Sequence, residues 1–175
     1  MKNSNYIYEI KNYLQNNDFS SDIKKTTNLL KNLKMKNKSV FIFGNGGSAT
    51  IAEHFYLDLI NKCNIKSHIY NLSSLLTCFS NDYKFENAII KYLDIYLQKG
   101  DLIFLISSSG KSQNMTKTAT KFKNNFNLIT LTGFGKNNKL SSLGKVNIWV
   151  DSKNYNVVET LHQIFLLQLV ENLAD

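Results

Sequence analysis

Apolar residues recur along this chain in two patterns, and each pattern predicts a different kind of element. Apolar positions that return every three or four residues predict amphipathic helices, and unbroken apolar runs predict strands buried on both faces. The helical pattern covers roughly residues 4–16, 20–36, 49–62, 84–97, 112–125 and 156–173, with a shorter helix at 73–79. Apolar runs predict strands at 39–43, 67–70, 102–106, 127–131 and 146–150.

Strands and helices alternate after residue 38, which is typical of an α/β fold with a mainly parallel sheet covered on both faces. We expect one domain over 1–175, with two N-terminal helices in 1–37 and the α/β core in 38–175. The chain has no proline, so glycine, asparagine and serine mark the element ends. These signals predict a cap at Ser21, a turn at Asn81-Asp82 and a loop over 132–135.

A glycine-rich turn follows the first buried strand directly. The run Phe41-Ile42-Phe43 leads into Gly44-Asn45-Gly46-Gly47-Ser48, and a helical pattern then begins. Glycines allow the backbone to approach a ligand closely, and the first N–H groups of a helix attract negative charge. The segment Gly44–Ser48, termed the glycine loop below, is therefore predicted to bind an anion.

A second polar turn follows the strand at 102–106. The segment Ser107–Ser112, termed the serine loop below, supplies four hydroxyls at the start of a helix. Hydroxyl and amide groups can surround a phosphate without any arginine. In parallel sheets ligands bind beyond the carboxyl ends of the strands. The two loops together therefore predict a small phosphate ester held from two sides.

Neither loop has the pattern of a nucleotide site. The glycine loop lacks the Gly-Lys-Ser/Thr ending of a P-loop, and Ala49 stands where a dinucleotide motif has its third glycine. No acidic residue follows the second strand to hold a ribose hydroxyl. We therefore expect no nucleotide cofactor.

Charge and cysteine content restrict the class of protein further. The net charge of +8 comes from lysines interspersed among other residues, and arginine is absent, which does not favour a nucleic-acid partner. No run approaches the length of a membrane span, and the N-terminus has no signal-type apolar segment, so we expect a cytoplasmic protein without a membrane partner. Cys63 and Cys78 lie in apolar surroundings and are predicted to be buried free thiols.

Two helices carry residues that suit proton transfer. His54 and Asp58 lie at i and i+4 and so share a helix face, near the predicted phosphate site. Glu159 and His162 lie at i and i+3 near the start of the apolar last helix. A helix cap explains Glu159 but not His162, which leaves a site role open for the pair.

These motifs resemble those of a known family. Gly44–Ala49 with His54, followed by Ser107–Asn114, is similar to the opening motif and second phosphate loop of phosphoheptose isomerases, members of the SIS (sugar isomerase) domain superfamily. Further similar segments follow the family's order and bring the resemblance to nearly the whole chain: Ser80–Tyr83, Leu131–Gly133 and Val158–His162.

The resemblance implies a three-layer α/β/α sandwich with a five-stranded sheet, assembled as a homotetramer. It also implies isomerisation of sedoheptulose 7-phosphate to D-glycero-D-manno-heptose 7-phosphate, for the heptose of lipopolysaccharide or capsule. By position, the substrate-binding residues are Asn45, Gly46, Gly47, Ser48, Asp82, Ser107, Ser108, Ser109 and Ser112. The catalytic candidates are Asp58, Glu159 and His162, and the candidate metal ligands are His54, Asp58 and Glu159.

The chain departs from the family pattern at three of these positions. Asp58 replaces the usual glutamate, Glu159 replaces a glutamine that often helps to hold zinc, and Leu167 replaces a second histidine. Three ligands suffice for a catalytic zinc site, so Zn²⁺ stays a possible cofactor. Catalysis without metal and loss of the isomerase chemistry are the alternatives.

The sequence therefore predicts an isomerase in which Asp58 or Glu159 moves the substrate's carbon-bound proton and His54 or His162 moves the hydroxyl proton. Two other interpretations stay open. One is a non-catalytic SIS module that binds a phosphosugar or a protein. The other is a related isomerase of another sugar phosphate, such as arabinose 5-phosphate.

Overall fold

The computed structural model of the protein describes residues 5–70 and 72–174, which form twelve elements. The strands are β1 (Val40–Gly44), β2 (Ser67–Ile69), β3 (Leu102–Ser107), β4 (Asn127–Gly133) and β5 (Val146–Val150). The helices are α1 (Tyr6–Asn16), α2 (Ser20–Met35), α3 (Gly47–Asn61), α4 (Ser73–Tyr83), α5 (Phe85–Tyr96), α6 (Gln113–Phe122) and α7 (Tyr155–Leu173). The predicted start of α1 at residue 4 lies outside the described residues.

The five strands form one sheet in the order β2-β1-β3-β4-β5, and each neighbouring pair is parallel. This confirms the predicted α/β fold. The chain moves from β1 outward to β2 in one direction and from β3 outward to β4 in the other, so the order reverses between β1 and β3. Gly44 at the end of β1 pairs with Ile106 beside the serine loop. The two polar loops therefore meet at the switch point, where such sheets bind ligands.

Alternate residues of the central strands enter two separate cores. Ile42 and Phe104 pack with α2, α3 and α7 on one face, whereas Phe43 and Leu105 pack with α5 and α6 on the other. The result is the expected three-layer α/β/α sandwich. The two N-terminal helices belong to the first face, where the Tyr13 hydroxyl donates a hydrogen bond to the Trp149 carbonyl at 2.8 Å.

Three local predictions are wrong. Asn81 and Asp82 lie inside α4, because the break comes at Lys84, whose φ of 68° ends the helix. Residues 132 and 133 belong to β4, because they pair with β5. Helix α2 begins at Ser20, whose N–H donates a hydrogen bond to the Asp18 carboxylate at 2.8 Å. Ser21 is therefore not the cap.

The two cysteines have different surroundings. Both are free thiols, but only Cys63 is buried, whereas Cys78 is exposed on α4 with its sulfur 3.5 Å from the Asp82 carboxylate. The prediction of burial is therefore correct for one thiol and wrong for the other. Among the described residues, no helix combines the length and the apolar character needed to cross a bilayer.

Candidate active site

The glycine loop leads the chain from the end of β1 directly into α3. A Cβ on Gly44 would lie 2.2 Å from the Ser48 carbonyl oxygen, so the strand end and the first helical turn touch only because Gly44 has no side chain. Gly46 adopts φ +53°, a left-handed conformation that favours glycine. The N-terminus of α3 is thereby held at the carboxyl edge of the sheet, where it favours an anion.

The serine loop lies beside it at the end of β3. The Ser107 and Ser112 hydroxyls are 3.2 Å apart, and Ser109 accepts a hydrogen bond from the Lys111 N–H at 3.3 Å. Gly110 has φ +62°, and its hydrogen atom faces the Asn138 side chain, where a Cβ would clash. The loop therefore gathers several hydroxyls at the start of α6, the donor arrangement that a phosphate requires.

A reciprocal amide pair joins the two loops. Asn45 donates to the Asn114 Oδ1 at 3.0 Å, and Asn114 donates to the Asn45 Oδ1 at 2.8 Å. Asn114 is buried, and its Oδ1 also accepts from the Met115 N–H. Asn114 has no predicted role from the sequence, although its place two residues after Ser112 puts it near the serine loop. The pair fixes the spacing between the two walls of the site.

Glu159 brings a carboxylate to this junction from α7. Its Oε1 accepts a hydrogen bond from the Ser108 hydroxyl at 3.4 Å. A Cβ on Gly47 would lie 2.3 Å from its Oε2, so the carboxylate sits directly against the first residue of α3. Glu159 is not the cap of its own helix, since α7 begins at Tyr155 and Asn154 caps it. The structure therefore brings Glu159 into contact with both loops.

His54 and Asp58 follow Gly47 along the same side of α3. His54 Nε2 lies 3.5 Å from the Asp58 Oδ2, and Lys62 Nζ lies 3.2 Å from the Asp58 Oδ1. Gln163, one turn beyond Glu159 on α7, lies 3.2 Å from His54 Nδ1. At 1.5 Å per residue, Asp58 is about 15 Å from Ser48 along the helix axis. Asp58 is therefore remote from the loops of its own chain.

The three candidate metal ligands are not brought together. Glu159 contacts the loops, whereas Asp58 lies about three helical turns away and is paired with Lys62. Within the described ranges, no three His, Cys, Asp or Glu side chains are grouped as metal ligands. The predicted set of His54, Asp58 and Glu159 therefore does not fit Zn²⁺ within one chain.

His162, a predicted catalytic residue, has a structural position inside the core. The ring is fully buried, and its Nε2 lies 3.1 Å from the Thr132 carbonyl oxygen. Burial lowers the pKa of His162 to about 4, and the Thr132 contact opposes this shift only in part. The side chain is neutral at pH 7, with the proton on Nε2, and it joins α7 to the end of β4. This position does not favour the predicted catalytic role of His162.

His162 predicts a loss of stability in mild acid. The pKa of His162 rises from about 4 in the folded protein to about 6.5 in the unfolded chain, so between these values only the unfolded state takes up the proton. Stability is complete above pH 6.5 and falls toward pH 4 by about 3 kcal/mol. Urea unfolding at several pH values measures this slope. His162→Gln is expected to reduce it, whereas the same change at the exposed His54 is expected to preserve it.

Asp82, a predicted substrate-binding residue, does not belong to either of the two loops. It is exposed near the end of α4, and its carboxylate contacts Asn81 and Cys78 rather than either loop. The remaining predicted binding residues all lie in the two loops: Asn45, Gly46, Gly47, Ser48, Ser107, Ser108, Ser109 and Ser112.

The all-parallel sheet and its paired polar loops define an α/β protein with a candidate small-anion site at the topological switch point. Comparison with known proteins identifies its family. The SIS domain family profile matches residues 5–133, and the chain belongs to that family.

Within this family the chain is similar to phosphoheptose isomerases. It is 28% identical over 168 residues to the one from Fusobacterium nucleatum, covering 93% of this chain and 86% of the relative. It is 32% identical over 137 residues to the one from Colwellia psychrerythraea, covering 73% and 70%. The solved phosphoheptose isomerase from Francisella tularensis matches with a TM-score of 0.85 at 21% identity, covering 96% and 91%, which supports the fold. The resemblance seen in the motifs is thereby confirmed.

Proposed function

We propose that this protein is an aldose–ketose isomerase that converts sedoheptulose 7-phosphate to D-glycero-D-manno-heptose 7-phosphate. One observation carries the proposal beyond the family likeness: the Glu159 carboxylate contacts both phosphate-type loops. Hydroxyls and a helix N-terminus suit the phosphate, and a carboxylate beside them suits proton transfer on the attached sugar. Incubation with sedoheptulose 7-phosphate, followed by NMR of the sugar carbons, tests whether the aldose appears.

The chemistry needs one base and no external reagent. Glu159 removes a proton from C1 of the ketose, the C1–H electrons form the C1–C2 double bond, and the C2 carbonyl oxygen takes up a proton. The resulting enediol then accepts the carbon-bound proton at C2, while the C1 hydroxyl loses its proton and becomes the aldehyde oxygen. His54, which is half exposed on α3 and contacts Gln163 one turn of α7 beyond Glu159, is proposed to move the hydroxyl protons.

Assembly as a homotetramer is part of the proposal. Leu57 and Ile60 expose apolar side chains on α3, where a second copy would cover them. Asp58 lies too far along α3 to act on a sugar held by its own loops, so any catalytic role for Asp58 requires the site of a neighbouring copy. We propose cytoplasmic heptose synthesis for lipopolysaccharide or capsule as the setting, which agrees with two free thiols.

The serine loop gives a prediction for substrate affinity. Ser112→Ala removes one hydroxyl from the phosphate site, and a hydrogen bond to a charged group contributes roughly 1.5–3 kcal/mol. We therefore expect KM to rise about tenfold or more while kcat stays within about twofold. Steady-state kinetics measures both constants. Ser142→Ala, in an exposed turn, is the matched control, and an unchanged KM in Ser112→Ala would exclude phosphate binding by this hydroxyl.

A further inference from the structure

The chain that follows β4 supports the serine loop through its backbone. The Gly133 N–H donates a hydrogen bond to the Ser108 carbonyl at 2.9 Å, and the Leu140 N–H donates one to the Gly110 carbonyl at 3.1 Å. Leu140 is itself fully buried in the core formed with α5 and α6. Residues 133–141, termed the support segment below, therefore hold the serine loop at two points that are two residues apart.

Asn138 is the buried polar side chain of the support segment. Its Nδ2 donates hydrogen bonds to the Gly133 and Gly135 carbonyls at 3.3 and 2.9 Å. Its Oδ1 accepts one from the Ser141 N–H at 2.9 Å. Both donors of the amide and its acceptor are thus used inside the segment, which holds the side chain in one orientation.

The Asn138 side chain lies directly against Gly110. A Cβ on Gly110 would lie 1.9 Å from the Asn138 Oδ1, so the amide fills the space that a side chain at position 110 would need. Gly110 has φ +62°, and this left-handed turn directs the chain from Ser109 toward Ser112. The placement of the two serine hydroxyls therefore depends on the contact between Asn138 and Gly110.

We propose that Asn138 is a positioning residue for phosphate binding, which fixes the turn at Gly110 and thereby the donors of the serine loop. Because its side chain is buried, Asn138 acts through Gly110 and not on the ligand. The chain has no arginine, so a phosphate site built from hydroxyl and N–H groups depends strongly on how these donors are held. The inference rests on the proposed function and assigns a residue that supports its phosphate site.

The probe is inorganic phosphate, whose binding does not require turnover. NMR titration of the backbone amides gives the Kd at the serine loop itself. Asn138→Ala is expected to raise this Kd about tenfold or more, because the phosphate donors lose their fixed geometry. Asn147→Ala is the matched control, since it removes another amide, which accepts hydrogen bonds from the Thr130 and Thr132 hydroxyls. It should lower the melting temperature as Asn138→Ala does, but keep the phosphate Kd within about twofold.

A double-mutant cycle tests the contact between the two residues. Gly110→Ala places a Cβ against the Asn138 amide and is also expected to raise the phosphate Kd about tenfold. When Asn138→Ala is present, the amide is gone and the same Cβ has more room. The double variant should therefore stay well below the roughly hundredfold rise expected of independent residues. An additive rise would overturn the inference.

Two further outcomes would also overturn it. One is a wild-type phosphate Kd in Asn138→Ala, and the other is a wild type whose serine-loop amides do not respond to phosphate. Asn138→Ser serves for the same titration if the alanine variant does not fold. Conversion of sedoheptulose 7-phosphate by the wild type tests the proposed function separately. A wild type that binds phosphate at the loop without converting the sugar would contradict the isomerase and leave the role of Asn138 standing.

Discussion

Glu159→Gln is expected to lower kcat by a factor of about 10² to 10⁴ and to leave KM nearly unchanged. The amide keeps the shape of the side chain and its contact with the Ser108 hydroxyl, but it cannot accept the C1 proton. The phosphate donors are untouched, so ground-state binding should persist. Steady-state conversion of sedoheptulose 7-phosphate gives kcat and KM, and thermal unfolding verifies that the variant folds.

Two further variants serve as controls for Glu159→Gln. Glu171→Gln changes an exposed carboxylate on the same helix and should retain wild-type turnover. Asp58→Asn should lower turnover less than tenfold, because Asp58 is paired with Lys62 and remote from the loops of its chain. If Glu159→Gln turns over normally while Asp58→Asn is inactive, the assignment of the base to Glu159 is wrong.

Gly47→Ala should lower kcat by about a hundredfold without unfolding the protein. The new Cβ would lie 2.3 Å from the Glu159 Oε2, which is the end of a flexible side chain, so the carboxylate moves and the backbone does not. Alanine is also favourable in a helix. A shift of about 1 Å in a catalytic group can lower the rate by two orders of magnitude.

The control for this variant is another glycine. Gly135→Ala adds a Cβ that would have no neighbour within 4 Å, so kcat and melting temperature should both stay at wild-type values. Gly47→Ala should match it in melting temperature and differ only in kcat. Wild-type turnover in Gly47→Ala would mean that the position of Glu159 against α3 does not matter for the reaction.

The sheet could be predicted because its strands are buried on both faces. Runs such as Phe41–Phe43 and Leu102–Ile106 have no polar position, which is the signature of a parallel strand between two helical layers. The end of β4 was missed because Thr132 and Gly133 become strand only through pairing with β5. Pairing of this kind depends on the neighbouring strand and leaves no local signal.

The two loops of the site could also be predicted from the sequence, because each loop is a single segment of the chain. The way in which the helices of the site pack against each other could not be predicted. The i, i+4 spacing correctly placed His54 beside Asp58, but it says nothing about how α3 and α7 align. That alignment sets Glu159 against Gly47 and Gln163 against His54, and it separates the three candidate metal ligands.

Burial in the folded protein is a further property that the sequence does not show directly. The sequence predicts a catalytic role for His162 because it is polar in an apolar helix, whereas its neutral ring bonds to a carbonyl inside the core. Glu53 stands next to His54 in the sequence, but its side chain leaves α3 about 100° around the helix from His54 and lines a cavity. The angle between the two residues can be calculated from the sequence. The cavity cannot be predicted, because part of its wall comes from Leu76 of α4 and Phe85 of α5.

Solvent exchange at the reacting carbons tests the proposed isomerase most directly. The purified protein is incubated with sedoheptulose 7-phosphate in D₂O, and NMR follows the protons on C1 and C2. An enediol mechanism predicts deuterium at C2 of the heptose phosphate and, through the reverse reaction, at C1 of the ketose, with both lost in Glu159→Gln. Tight binding of the sugar phosphate with no deuterium at either carbon would contradict the isomerase and favour a phosphosugar-binding module.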